Sequence, residues 1–390
     1  MTIDFDQMIG RRNTGCAKWD AMEALYGVPG DSGIPMWVAD MDFQPPAAAT
    51  KALEDILRHN IYGYFGSQAN LQTALVNWMQ RRHNWTVQPE WIMQTHGLVN
   101  ALALCIKAYT KENDGVIVFS PVYHWFGNIV RANDRRLVES ELVQRDSVYH
   151  MDLDTLEAQL RGDEKLMLFC SPHNPGGRVW SEAELRAVAD FCIKHDLVLV
   201  SDEVHHDLVM PGHTHMVAPL AMDHALDRLV MLVATTKTFN LAGTMTGSMV
   251  ISDDALRLQM AKTHKASGMS VNRFGMLMAE AAYNHGDEWL DALLLYLDGN
   301  QKLFAEGMSK IPGLKVMPLQ STYLSWVDFS DTGMDRSEFN RRVNDAGVAA
   351  SVGADFGAGG EHFLRFNLAT QRSYVEQAVE RIQAAFADLQ

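Results

Sequence analysis

Lys237 follows an unbroken apolar run, Leu229 to Val233, that reads as a buried strand, within the stretch Ala234-Thr235-Thr236-Lys237-Thr238-Phe239-Asn240. A lone lysine in such a place ordinarily carries its amine to solvent along its own hydrocarbon stem. Two upstream residues point elsewhere: Asp202 also closes an apolar run, and Asn174 sits in the turn sequence Ser171-Pro-His-Asn-Pro-Gly-Gly177. An amine held at a strand end can condense with an aldehyde, and a carboxylate on a neighbouring strand can hold a protonated ring nitrogen. The Asn174 amide can donate to a ring oxygen, and an Asn-Pro turn suits a side chain aimed inward. Taken together these are the requirements of pyridoxal phosphate. Gly97 falls where a strand ends and a helix containing Ala101 and Leu104 begins, so the amides of Leu98 and Val99 can meet the cofactor phosphate. Tyr123 is placed to stack on the ring.

Such a site needs strands to deliver it. From Trp91 onward short apolar runs alternate with helical patterns, which implies parallel strands with right-handed crossovers. Strands are predicted at 91–95, 116–119, 137–142, 166–170, 197–201, 229–233 and 247–251, making one mostly parallel seven-stranded sheet in an α/β fold. Ligands bind outside the carboxyl ends of the strands in open sheets of this kind, where Gly97, Tyr123, Asn174, Asp202 and Lys237 all fall. Ser181 and Glu184 form a capping box ahead of an amphipathic helix, and Ser373 with Glu376 repeats the pattern before a final helix. Residues 1–45 show no sustained periodicity and read as an N-terminal arm that packs on the small domain or on a partner subunit. The large cofactor-binding domain is placed at 46–287 and a smaller C-terminal α/β domain at 288–390, opening on a helix over 288–310. The segment 321–328 alternates and reads as a half-buried strand.

Composition describes an ordinary globular chain: 390 residues, 47% hydrophobic and 21% charged, with a net charge of −15. The scattered acidic residues argue against nucleic-acid binding through phosphate neutralisation. Cys16, Cys105, Cys170 and Cys192 lie far apart without metal or redox spacing and read as free thiols. With no leader pattern and no long uncharged apolar segment, a cytoplasmic location without membrane contact is expected. Asp202, Glu203, His205, His206 and Asp207 form a dense cluster, yet alternate residues of a strand face opposite ways, so no metal site is expected. His206, His213, His215 and His224 read as surface or loop residues.

The series Asn174-Pro, Ser201-Asp202-Glu203 and Lys237 resembles the class I/II aminotransferase-like superfamily of fold-type-I pyridoxal phosphate enzymes, across nearly the whole chain. More narrowly, Met36-Trp-Val-Ala-Asp-Met-Asp-Phe43, His173-Asn-Pro-Gly-Gly-Arg-Val-Trp180, Asp202-Glu-Val-His205, Lys237-Thr-Phe-Asn240 and Ser321-Thr-Tyr-Leu324 are similar to the MalY/PatB group of carbon–sulfur lyases, which includes cystathionine β-lyases. His205 stands where typical aminotransferases carry Tyr. The resemblance implies Lys237 and Tyr123 as catalytic residues, and Lys237, Asp202, Asn174, Tyr123, His205, Gly97, Leu98, Val99, Thr236 and Tyr64 as cofactor-binding. It implies Arg365 as the clamp on the substrate carboxylate, with Trp37 and Tyr323 also at the substrate. Phe65 and Trp125 are further aromatic candidates for the leaving-group pocket. Tyr64 is implied to reach the phosphate in a neighbouring subunit, making a homodimer. Ala234 and Met245 occupy positions where many relatives hold the phosphate with Ser and Arg, which shifts that task to Thr236, the helix amides and Tyr64, with Thr235 in reserve. The activity implied is α,β-elimination of cystathionine or related cysteine S-conjugates to thiol, pyruvate and ammonia. An aminotransferase on the same residues is the alternative, and an additional regulatory contact with a protein partner is a further one.

Overall fold

The computed structural model describes residues 3–389. The apolar runs become one seven-stranded sheet in the order Ile92–Thr95, Gly247–Val250, Leu229–Val233, Val198–Asp202, Glu164–Cys170, Gly115–Ser120 and Arg136–Glu141. From Leu229–Val233 onward every neighbouring pair is parallel, whereas Gly247–Val250 runs against both strands beside it. A parallel sheet covered on both faces is apolar at every position, which is why these strands read as continuous runs rather than as alternation. Val116, Val118, Leu168, Val200, Val230 and Leu232 pack on one face against Ala101, Leu102 and Cys105 of the Leu98–Tyr109 helix. The intervening residues Ile117, Phe119, Met167, Phe169 and Leu199 face the other way, onto Leu185, Val188, Ala189 and Cys192. Those last four belong to the Glu182–Lys194 helix, whose start carries the Ser181–Glu184 capping box.

Cys170 lies opposite Asp202, and Asp202 opposite Leu232. Three adjacent strands therefore end level with one another, and the segments leaving them carry Asn174, Asp202 and Lys237. A second sheet of five strands runs Ile34–Met36, Val348–Val352, Phe363–Asn367, Leu324–Asp328 and Lys315–Val316. Leu324–Asp328 is buried throughout rather than half-buried, because Phe363–Asn367 covers one edge and aromatic residues such as Phe356 and Phe363 lie against Trp326. Arg365 rises from the neighbouring strand.

The N-terminal segment is more structured than its lack of periodicity suggests. It forms two short helices, Ala17–Asp20 and Met22–Tyr26, and a strand, Ile34–Met36, paired in parallel with Val348–Val352. Charge holds it. Asp42 accepts from Lys18 at 2.7 Å, from Arg11 at 2.7 Å and from the Trp19 indole at 2.8 Å, and Lys18 is fully buried. Removing one member of such a group strands the other charge in a dry site. Asp42→Ala is expected to lower stability by about 3–5 kcal/mol in urea unfolding. The double change Lys18→Met with Asp42→Leu should recover most of that loss, and an Asp42→Ala variant as stable as the parent would refute the anchoring role.

The final helix, Arg372–Ala385, does not use Ser373 as its cap. Gln371 occupies the capping position, and its side-chain amide is spent on the Gln7 and Asp42 carbonyls of the arm. Packing of the arm, not the Ser373–Glu376 pair, sets where that helix begins.

Candidate active site

Beyond Val233 the chain folds into a single helical turn, Thr235–Thr238, that turns Lys237 back over the ends of the parallel strands. The Lys237 amine donates to the Ala39 carbonyl at 2.6 Å, and the Tyr323 hydroxyl donates to the same oxygen at 2.9 Å. Asn240 ties the arm down beside them: its amide donates to the Met41 and Phe43 carbonyls, and its oxygen accepts the Met41 N–H. On the opposite side Arg365 is buried over the ring of Phe356, 4.8 Å from its centre. The guanidinium donates to Asn174 Oδ1 at 3.1 Å, to the Trp37 carbonyl at 2.8 Å and to Ser351 Oγ at 3.2 Å. Because Asn174 spends its oxygen on Arg365, its NH2 group is left to donate elsewhere.

Burial sets the electrostatics. Desolvation pushes the Asp202 carboxyl up to about 7, against the opposing pull of its hydrogen bond from the Val204 N–H, 3.1 Å away. Lys237 is brought down to about 8, first by burial, with Asp40 resisting and Arg365 assisting. Burial likewise lowers Arg365, to about 10, and keeps His205 neutral, far below the ordinary histidine range. Tyr123 moves upward for the same reason. A carboxyl near 7 beside an amine near 8 is a site whose proton affinities have been drawn toward neutrality, as proton-transfer chemistry requires.

The sequence-predicted residues fall into three groups. Lys237, Asp202, Asn174, Tyr123, His205, Arg365, Trp37 and Tyr323 share one site: the charges of Arg365, Lys237 or Asp202 act on Tyr123, His205 and Tyr323, and the His205 and Tyr323 rings lie 6.2 Å apart. Gly97, with φ of +79°, caps the Leu98–Tyr109 helix, so the Leu98 and Val99 amides open its first turn. Met245 lies over this turn, and a Cβ on Gly97 would meet its methyl at 3.6 Å. Thr236 is half-buried, whereas Thr235 is fully buried with a hydroxyl that has no partner. Tyr64 stands apart, fully exposed in a loop, and lines a cleft with Phe65, Ser270 and Arg273.

Pyridoxal phosphate fits what these residues lack. The Asp202 carboxyl wants a cation, the Thr235 hydroxyl and His205 Nδ1 are buried without partners, and the Gly97 turn presents unpaired amides. A protonated ring nitrogen, ring substituents and a phosphate meet those needs in turn.

Several participants were not foreseen. Ala39 and Trp37 contribute through their carbonyls, while the Trp37 indole donates to the Lys18 carbonyl at 2.9 Å and packs on the Tyr26 ring; a backbone oxygen leaves no signature in residue type. Ser351 and Asn240 are ordinary polar residues whose placement depends on packing. His206 and His215 are buried rather than on the surface. The alternation invoked for residues 202–207 stops at Asp202, where the strand ends and the chain turns, so His206 and Asp207 face the same way.

The family model for aminotransferase class I and II matches residues 34–382. Cystathionine beta-lyase PatB of Bacillus subtilis is 36% identical over 390 residues, covering 99% of this chain and 100% of that protein. Protein MalY of Escherichia coli is 29% identical, covering 97% of each chain. Among solved structures, cystalysin of Treponema denticola, which contains a pyridoxal 5'-phosphate cofactor, superposes with a TM-score of 0.95 at 34% identity over 100% of both chains.

Proposed function

We propose that this chain, which belongs to the class I and II aminotransferase family, is a pyridoxal phosphate-dependent carbon–sulfur β-lyase acting on cystathionine or related cysteine S-conjugates. The observation that carries the reading is the pairing of a partly buried Lys237, in the turn after one strand, with a buried Asp202 at the end of the neighbouring strand, both within reach of the charge field of a buried Arg365 or of each other. The cystathionine beta-lyase name of the Bacillus relative narrows it to sulfur substrates.

The cofactor, when bound, supplies an electron sink for negative charge at the substrate Cα. Lys237 and Asp202 would hold its aldehyde carbon and ring nitrogen, Asn174 its ring oxygen, and the Gly97 turn with Thr235 or Thr236 its phosphate. Arg365 receives the substrate α-carboxylate in a two-point contact, its position fixed by the Trp37 carbonyl, Ser351 and Asn174. Lys237 Nζ takes the Cα proton. Its lowered proton affinity keeps a sizeable neutral fraction near pH 8. The Cβ–S bond then breaks with its electron pair on sulfur, and Lys237 or Tyr123 returns a proton to the departing thiolate. With water, cystathionine yields homocysteine, pyruvate and ammonia.

Product analysis tests this. Purified enzyme with cystathionine should give thiol, pyruvate and ammonia in equal amounts, and absence of thiol would end the proposal. Arg365→Lys keeps the charge but loses the fork, so KM should rise about 10–100-fold with a smaller change in kcat, the equivalent of one charge-assisted hydrogen bond. An unchanged KM would take the carboxylate away from Arg365.

The exposed Tyr64, with Ile61 and Tyr62 beside it also exposed, supports a homodimer in which Tyr64 reaches the partner's cofactor phosphate. Division at 45 and 287 is proposed with it: the seven-stranded sheet falls within 46–287, and four strands of the five-stranded sheet fall within 288–390, the fifth, Ile34–Met36, coming from the arm. Four free cysteines support a cytoplasmic setting, and no helix among the described residues is long and apolar enough to cross a membrane.

A further inference from the structure

On the far side of the loop that follows Asp202, three side chains from two distant segments converge. His83 ends the Ala69–His83 helix, and His206 with Asp207 lies in the turn after the Val198–Asp202 strand. One ligand atom from each lies within 4.8 Å of the others. His83 Nε2 is 2.7 Å from Asp207 Oδ1, and His206 Nε2 is 3.3 Å from Asp207 Oδ2.

The ring of His206 carries the argument. Its Nδ1 lies against the Glu203 carbonyl, an acceptor, so the ring proton belongs on Nδ1 and Nε2 presents a lone pair. Nε2 is buried and has no hydrogen-bond partner. It faces a carboxylate oxygen, which is also an acceptor. Two lone pairs held 3.3 Å apart in a buried place attract nothing between themselves; they are satisfied by a cation placed between them. A tetrahedral metal with bonds of ~2.0–2.1 Å sets its ligand atoms about 3.3 Å apart. Imidazole oriented through a carbonyl on its other nitrogen is the usual arrangement of a metal-binding histidine. Asp207 is held in kind, by the Trp78 indole at 3.0 Å and the Thr238 hydroxyl at 2.8 Å.

We propose that His83, His206 and Asp207 form a binding site for a divalent transition-metal ion of the zinc type, the ion displacing to solvent the proton with which His83 Nε2 now bonds Asp207 Oδ1. Two imidazole nitrogens and one carboxylate oxygen suit such borderline ions over calcium or magnesium, which prefer oxygen. The remaining coordination positions open onto a cleft of about 210 Å³ that His213 and His215 also line. Arg82 borders this cleft, but its charge is taken up by Asp291 at 2.8 Å. The site is separate from the lyase reading and stands or falls without it. It touches the catalytic turn at one point, since Asp207 holds Thr238, the residue after Lys237.

The test is calorimetric titration of the full cofactor-loaded protein, stripped with chelator, with zinc chloride. One equivalent should bind, and His206→Asn and His83→Gln should each weaken that binding at least about 10-fold. His285→Asn, at the end of a different helix, should leave it unchanged. Cobalt(II) should give intense visible bands of a four-coordinate ion in the parent and not in His206→Asn. His83 is partly exposed at a helix terminus, so His83→Gln reports even where His206→Asn is poorly folded. No stoichiometric binding, or equal binding in parent and His83→Gln, overturns the proposal.

Discussion

Lys237→Ala is expected to cut pyruvate release from cystathionine by at least about 10³-fold and to abolish the visible absorbance of lysine-bound cofactor. Among the described residues Lys18 is the one fully buried lysine, and it is fixed on Asp42. The fold should survive, because the turn is held by neighbours of Lys237, with Thr238 on Asp207 and Asn240 on the arm carbonyls. Removing an amine that burial penalises should leave the urea midpoint unchanged or higher. Lys237 also sets a pH dependence. Its proton affinity is lowered from 10.5 to about 8, so the nucleophilic neutral amine accumulates as pH rises through 8. Covalent uptake of pyridoxal phosphate by cofactor-free protein should therefore accelerate up to about pH 8 and then level. A rate still climbing at pH 10 would mean an ordinary, solvated lysine.

Asp202→Asn is expected to lower kcat/KM for elimination by about 10²–10³-fold, the scale of one misplaced electrostatic partner to a developing charge. An amide cannot hold a ring nitrogen in its protonated form, so the electron sink weakens while Arg365 and Lys237 remain in place. Stability separates this from a packing defect. In the cofactor-free fold the Asp202 carboxyl sits at about 7, above its ordinary 3.8. The folded state thus binds the proton more tightly than the unfolded chain, so this contribution is full below about 3.8 and is lost as pH rises through 7. Between pH 5 and 7 wild-type cofactor-free protein should lose on the order of 1 kcal/mol per pH unit relative to Asp202→Asn. Cofactor should remove the difference by giving the carboxylate its cation. Parallel stability curves for the two proteins would place Asp202 in an unstrained, hydrated setting and would remove the case for its role.

Much of the architecture could be read from residue order because a parallel sheet imposes itself on composition. Leu229–Val233 appears at its expected bounds, since an apolar run buried on both faces has no ambiguous end residues. The Ser181–Glu184 capping box was legible for a different reason: both halves of it are local. The spacing of Asn174, Asp202 and Lys237 along the chain translated into adjacency because each ends or closely follows a strand of the same sheet. What escaped reading was set by contacts that no strand order or local pattern announces. The arm's helices and its strand are stabilised by Asp42, Lys18 and the Val348–Val352 edge rather than by an internal pattern. Backbone carbonyls at Trp37 and Ala39 leave no residue signature at all. His83 lies 124 positions from Asp207, and only the fold brings the two within 2.7 Å.

Elimination and amino transfer, as proposed for Lys237, Asp202 and Arg365, part at the need for a keto-acid acceptor. Turnover of cystathionine should be measured by continuous thiol release with and without a 2-keto acid present. A lyase sustains the same rate over many turnovers without the keto acid and accumulates pyruvate and ammonia. Thiol release that stops after one equivalent per active site, or turnover that depends on the keto acid, would contradict the β-lyase assignment.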